Sequence, residues 1–459
     1  MAKTVEEILA QSPEKAVEEL RRKSVELPAW DDLKKQYDPN KHAVMDRGKY
    51  PDVVNNDGSL ESVTRITLDL QRLAAKRTTE LCFGIPVKRI YSAQSDGEKE
   101  VAKAIESILK RNRIESVNIE RGNMLFASCE VATIWFATEE PNTLYGFESR
   151  LKLRCRSYSP VNGDSIYPLY DAETNDLTAL SFGYTRRDGD KDIEYLDVYT
   201  ANRHIRYRNE GEWTEEISER TVIGKIPAVY CCRPTPAWED TSNIVNEMEW
   251  ALSRNGNYLR NNSRPFLAVF VDEEMSFNTS PQGEHYAKDV GQYPKGSDIR
   301  YITWEQAIEN LKYYVGELRQ SFFTQLQLPD WSYENMKSAP MSGEARKQMF
   351  IDAQLKVKDE SGRLLEMLDR EINVIKAFLK IMMPGKDRDI DSLQVESVIT
   401  PFMINDDKET IGNLMSATGG KPILSQREGI ENLGWSADPD ETLRQIQEES
   451  NADAFELTI

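Results

Sequence analysis

The chain has 459 residues, 39% hydrophobic and 29% charged, with 58 basic and 77 acidic side chains and a net charge of −19. That length holds about two to four domains, and no run approaches the ~20 consecutive apolar residues of a membrane span. The acidic balance excludes a protein that coats DNA or RNA by neutralising phosphates with Lys and Arg, although not one that must let nucleic acid slide past.

The first 20 residues alternate charges with Leu and Val and lack the apolar centre of a signal peptide. Five cysteines, Cys82, Cys129, Cys155, Cys231 and Cys232, are few and irregularly spaced, as expected for a reducing compartment. Residues 1–58 read as a peripheral arm with a solvated helix over 4–25 and turn signals at 37–40 and 55–58. The spacing of Val63, Ile66, Leu70 and Leu73 predicts a helix over 59–81, ended by Gly84 and Pro86. A short strand follows at 87–91, then helices over 97–111 and 115–126 and a strand at 130–137. From 151 to 232 the period becomes two, with short strands at 151–158, 165–170, 179–186, 193–199, 204–208 and 229–232 between turn clusters. This predicts an antiparallel sheet on helices, an α+β domain.

Pro234-Thr235-Pro236 closes that region. A helix capped by Asp240 or Thr241 carries Ile244, Val245, Met248, Ala251, Leu252 and Leu259. Strands at 266–271 and 298–303 bracket a polar, turn-rich stretch, so a small insert sits between two helices. The second of these bears an apolar seam at Trp304, Ile308, Leu311, Val315, Leu318 and Phe322, which is expected to pack on a neighbouring helix. It stops before Pro329. A break follows, Asp330-Trp331-Ser332-Tyr333-Glu334-Asn335-Met336-Lys337, and then a helix from Ser342 to about Met383, ~60 Å at 1.5 Å per residue. A strand at 393–402 returns to the earlier sheet. Short helices over 408–418, 425–432 and 438–449 close the chain.

Chemical motifs are sparse. Gly419-Gly420-Lys421-Pro422 lacks the glycine spacing and the Ser or Thr of a phosphate loop and reads as a turn. Asp387, Asp389 and Asp391 alternate like calcium ligands, but Ser392 and Val398 occupy the positions of the turn Gly and bidentate Glu, so a solvated acidic loop is expected. Cys231-Cys232 reads as strand cysteines without metal partners. The three histidines, His42, His204 and His285, fit no HExxH pattern or nucleophile elbow. No catalytic residue, metal or cofactor is expected. The competing readings are a non-channel structural protein that uses its long helices for assembly and a metal-dependent hydrolase using clustered carboxylates.

The order of parts resembles the portal proteins of tailed bacteriophages, which package double-stranded DNA. Local stretches carry the likeness: Gly84-Ile85-Pro86 after the first long helix, Asn255 through Pro265 running into Phe266-Leu267, and Ser342-Gly343-Glu344-Ala345 opening the long helix. Ile423-Leu424-Ser425, Asp438-Pro439-Asp440-Glu441 and Ile446-Gln447-Glu448-Glu449 match by type in the tail. The likeness covers roughly 60–459, and residues 1–58 match nothing.

The resemblance implies an α+β portal-like fold. A helix–sheet wing at 59–240 follows an N-terminal arm at 1–58. Antiparallel stem helices at 241–262 and 304–327 carry a small α/β clip at 263–303. A tunnel loop at 328–342 leads to a long spanning helix at 343–384, a returning wing strand at 385–406 and a helical crown at 407–459. It further implies a homo-oligomeric ring, usually of twelve subunits, at a capsid vertex of the virion, assembled in the host cytoplasm and without enzymatic activity. Its partners would be double-stranded DNA, held transiently, the terminase large subunit, a head-completion or adaptor protein, and scaffolding and major capsid proteins, but no membrane. Asp330, Trp331, Ser332, Tyr333, Glu334, Asn335, Met336 and Lys337 would form the loop nearest DNA. Lys312 and Arg319 are the cations expected to face the channel from the stem. Twelve copies at −19 give a ring near −228, which repels phosphates and lets DNA move.

Overall fold

The structure is a computed structural model that describes residues 4–54, 58, 60–171, 173–262, 266–270, 298–302, 308–330, 351–402, 407–419, 422–436 and 439–456. Its centre is a layer of helices against a three-stranded sheet. Helices α4 (Leu70–Phe83), α5 (Asp96–Arg111) and α6 (Ile114–Ser128) pack with the long α9 (Ile351–Met382). The sheet has the order β11 (Ala228–Cys232), β4 (Glu130–Asn142), β5 (Ser149–Tyr158), all antiparallel. Trp135, Phe126, Ile105, Ile108, Ile375 and Leu379 are fully buried between these layers. The α5 helix starts on a capping box between Ser95 and Glu98, as its sequence prescribes. Gly122 lets α6 approach α4 closely, since a Cβ there would lie 2.8 Å from Thr79 Cγ2.

Period-two patterning builds a second sheet. Strands β6 (Ser165–Tyr170), β7 (Leu177–Asp188), β8 (Lys191–Thr200), β9 (Arg203–Asn209) and β10 (Trp213–Arg220) form an antiparallel meander. Alternation divides its side chains. Leu180, Phe182 and Tyr184 pack inward on Ala132, Ile134, Tyr158 and Tyr230. Leu196, Val198, Ile205 and Tyr207 point the other way and are covered by Ile8, Ala16, Val17 and Leu20. Those last residues belong to α1 (Val5–Leu9) and α2 (Pro13–Leu20), so the start of the chain closes the outer face of this sheet.

In place of the solvated helix expected over 4–25 the chain forms α1 and α2, with Ile8, Ala16, Val17 and Leu20 buried, and four further features depart from the sequence reading. Residues 62–69 form no helix, and α4 begins only at Leu70. Their apolar spacing fits a helix, but a partner distant in sequence takes their backbone groups. That partner is α7 (Ser242–Asn262). Thr64 N–H donates to Asn257 Oδ1, Ile66 N–H to Ser253 Oγ at 2.8 Å and Leu68 N–H to Glu249 Oε1 at 2.7 Å, while Arg260 Nη1 donates to the Ser62 carbonyl at 2.9 Å. Two residues of extended chain advance about 6.6 Å and four residues of helix about 6 Å, so a strap can bond along one helix face at near-matching intervals. Gly256 leaves room for it, because a Cβ there would meet Thr64 Cγ2 at 2.8 Å. The strap is entered through a short antiparallel pair of two-residue strands, β1 (Val53–Val54) with β2 (Leu60–Glu61).

The second departure is β10, whose run of charged residues hid an edge strand. The third is the Asp387 region, which forms a helix, α10 (Asp387–Ser392), rather than an acidic loop. Asp391 is engaged by Lys380 at 2.7 Å, and Asp389 accepts from Ser95 Oγ at 3.2 Å. Finally, β14 (Gln394–Val398) pairs with neither large sheet but with β3 (Lys88–Ser92), as a separate antiparallel pair. The chain closes with α11 (Asp407–Thr418), α12 (Gln426–Leu433) and α13 (Pro439–Glu456), of which α12 carries a capping box at Ser425 and Glu428.

Candidate functional site

After α7 the chain forms β12 (Phe266–Phe270), which pairs antiparallel with β13 (Asp298–Ile302), and returns as α8 (Ile308–Gln325) packed on α7. Tyr314 Oη donates to Glu247 Oε1 at 2.9 Å between the two helices. Thus a two-helix hairpin carries a strand pair at one end. Of the sequence-predicted seam, Leu311, Val315 and Leu318 are half-buried on α8 and Phe322 is fully buried, while Trp304 lies outside the described residues. The lower seam belongs to the chain's own core: Phe322 meets Phe323 edge-on at 5.4 Å, and Leu326 and Leu328 join the cluster that contains α9.

The base of this hairpin is fixed from two sides. Gln327 adopts a left-handed φ of 53°, ending α8, and Leu328 N–H donates back to the Phe323 carbonyl at 3.0 Å. Arg319 then reaches forward to Asp330, Nε to Oδ2 at 2.9 Å and Nη2 to Oδ1 at 3.1 Å, a two-point contact. From the other side Lys356 of α9 donates to the Leu326 carbonyl, one of the acceptors that the end of α8 leaves unpaired. Beside it, Arg233 donates to Glu360 at 2.8 Å. Burial, reinforced by the Arg233 charge, pulls the Lys356 ammonium down to about 8.

A lysine whose folded pKa is depressed opposes folding below that value, and the opposition fades as pH rises from about 8 towards its unfolded value near 10.4. Wild-type stability measured by urea denaturation is therefore expected to gain over that window relative to Lys356→Met, by at most about 1.4 kcal/mol per pH unit crossed. Parallel pH profiles for the two proteins would show that Lys356 is not desolvated.

A family model described as phage portal protein, SPP1 Gp6-like, matches residues 19–455. The chain belongs to that family. Portal proteins are structural components of the phage virion, and the α+β architecture described above is that of a portal protein. Among solved structures, the chain is similar to one from the neck of an empty gene transfer agent (GTA) particle computed with C6 symmetry. The identity is 11%, the alignment covers 87% of this chain and 95% of that one, and the TM-score is 0.43. A chain from the neck of a native GTA particle computed with C12 symmetry matches at 11% identity over 90% and 96% of the two chains, with a TM-score of 0.43. No curated protein matches the sequence.

The positions named from sequence fall into three groups in this portal protein. Lys312 is exposed on α8. Arg319 and Asp330, singled out for separate reasons, are joined to each other. Trp331, Ser332, Tyr333, Glu334, Asn335, Met336 and Lys337 lie outside the described residues. Sequence reasoning missed Lys356, which braces the hairpin, and the Arg233–Glu360 pair beside it; only their coincidence in space distinguishes them from ordinary charges. Among the described residues no group of three or more His, Cys, Asp or Glu is placed to hold a metal ion, and no helix is long and apolar enough to cross a membrane. The Cys231 thiol is pushed up to about 12 by burial and by neighbouring Cys232, so it is a poor nucleophile.

Proposed function

We propose that this portal protein assembles as a ring of twelve subunits at one capsid vertex and that double-stranded DNA is packaged and ejected through the ring. The observation that carries the reading is the α7–α8 hairpin, tipped by the β12–β13 pair and rooted on α9 through Lys356, in a chain of net charge −19. In this reading residues 241–262 and 304–327 are the stem and 263–303 the clip, which docks the terminase large subunit and later a head-completion adaptor. Residues 59–240, with 343–384 and 385–406, are the wing that meets capsid and scaffolding protein. Residues 328–342 are the tunnel loop and 407–459 the crown. Apolar side chains that the single subunit leaves exposed support side-by-side contacts: Trp250 is 42% exposed, Tyr313 70% and Leu355 50%.

The two stem cations differ in their surroundings. The Arg319 charge is met by Asp330, which leaves Lys312 as the better candidate to steer phosphates. A sparse ring of lysines in an acidic channel would guide a duplex without the multiple phosphate contacts that would hold it. Electron microscopy of the purified protein tests the assembly. Closed rings with a hole wide enough for a duplex are expected, whereas filaments or monomers would sink the proposal.

A further inference from the structure

His42 lies between two short 3-10 turns, Pro39–Lys41 and Ala43–Met45, in the segment from α3 (Trp30–Tyr37) to the strap, and it is 3% exposed. Its two ring nitrogens both face acceptors. Nε2 is 2.7 Å from the Gln36 backbone carbonyl, which can only accept, so Nε2 carries a proton. Nδ1 is 2.6 Å from Glu249 Oε1, and that oxygen already accepts the Leu68 N–H. At 2.6 Å two lone pairs cannot face each other, so a second proton lies between Nδ1 and Oε1. The arrangement is an imidazolium held against a carboxylate, both buried. The remaining oxygen of Glu249, Oε2, has no hydrogen-bond partner among the described residues.

The pair joins parts of the chain that are otherwise separate. His42 and Gln36 belong to the N-terminal segment, Glu249 to α7, and Leu68 to the end of the strap. Gln36 also accepts from Trp238 Nε1 at 2.9 Å and from Ser242 Oγ at 2.6 Å at the start of α7. Glu249 is the last rung of the ladder whose other rungs are Arg260, Asn257 and Ser253.

We propose that the His42–Glu249 pair is a pH-sensitive catch that fastens residues 36–69 to α7, closed while the proton is shared and opened when it leaves. Loss of the proton leaves a carboxylate against an imidazole lone pair in a dry site, and the repulsion falls on the oxygen that holds Leu68. Every packed element contributes to where this happens. Burial alone would lower the His42 pKa, but the hydrogen bond and charge of Glu249 on α7, the Gln36 carbonyl on α3 and the charge of Asp69 at the end of the strap outweigh it, so the ring is held above the ordinary histidine range. Asp69 is itself paired with Arg72 of α4 at 3.4 Å, and Tyr37 of α3, kept protonated chiefly by burial, adds no charge. A raised folded pKa fixes the sign: the catch contributes fully below the unfolded value of about 6.5 and is lost as pH rises through the folded value.

The test uses the full chain labelled with carbon-13 at the histidine rings. There are three histidines, so H204Q and H285Q assign the His42 resonance without touching the catch. His42 is expected to titrate above the ordinary range. Amide protection in residues 62–69, corrected for intrinsic exchange, should fall by up to about tenfold per pH unit between about 6.5 and that midpoint, as loss of one proton requires, and level off beyond it. E249Q removes the carboxylate charge that holds the second proton on His42, so its protection should no longer fall across that window; H42Q, which has no titrating ring, should behave likewise. A wild-type His42 that titrates at or below the ordinary value overturns the proposal, whether or not the variants fold. So does a strap whose protection ignores the titration, or an E249Q protein that keeps the wild-type profile.

Discussion

Glu371→Ala is expected to lower the unfolding free energy of the subunit by about 3–5 kcal/mol, the range for removing one partner of a buried ion pair. Arg121 on α6 and Glu371 on α9 have fully buried side chains. The guanidinium donates Nη1 to Oε1 at 2.7 Å and Nη2 to Oε2 at 3.0 Å, and Trp135 Nε1 from β4 donates to the same Oε1 at 3.2 Å. Three elements of the core, α6, α9 and β4, therefore meet on one carboxylate. Alanine would leave the guanidinium charged in a dry site, the indole N–H without an acceptor, and a cavity beside both. The control is Arg370→Ala on the same helix, whose 2.6 Å pair with Glu366 is exposed and should matter by no more than about 1 kcal/mol. Urea denaturation of the two variants beside wild type decides. If Glu371→Ala costs no more than Arg370→Ala, the buried pair does not hold α9 to α6. Joint replacement by Arg121→Met and Glu371→Leu should recover part of the loss, because it removes the stranded charge, although it takes the partners of the Trp135 indole N–H and of the Asn118 amide oxygen.

What the sequence could and could not reveal follows from where each signal resides. Local periodicity carried the meander, because alternation such as Leu180, Phe182, Tyr184 is written within one strand. It also carried α5, whose Ser95–Glu98 box is local. The same rule misread residues 62–69. Val63, Ile66 and Leu70 have helical spacing, yet the groups that fix their backbone are Glu249, Ser253 and Asn257, almost two hundred residues away. Aspartates at 387, 389 and 391 look like a loop until Lys380 and Ser95 are brought to them. Glu371 was lost among 77 acidic residues, since nothing near it in sequence marks it as the one that Arg121 meets. At the candidate site, Arg319 and Asp330 were both legible as notable residues. Their pairing was not, because it depends on the left-handed turn at Gln327, a residue type that seldom signals such a turn.

Deletion of residues 331–337, with Asp330 kept, is expected to leave ring assembly intact and to reduce the yield of DNA-filled heads sharply. The anchors lie elsewhere. Arg319 holds Asp330, Lys356 holds the Leu326 carbonyl, and Phe322, Phe323, Leu326 and Leu328 are buried in the subunit's own core. The root of the proposed loop is thus secured by groups outside the deleted stretch, so its removal should not disturb the helices that would form the ring. Arg319→Ala distinguishes anchoring from DNA contact. Its pair is half-exposed and worth at most about 1 kcal/mol, so rings should again form, and any packaging defect would come from the freed loop base and the unmasked Asp330 carboxylate. Lys312→Ala removes an exposed cation without touching the root, and its effect on packaging should grow as salt is lowered, because steering by an exposed charge is screened by salt. Packaging assays with purified heads read all three. Normal DNA-filled heads from the deletion would refute a channel role for these residues. Loss of rings would assign them to contacts between subunits instead.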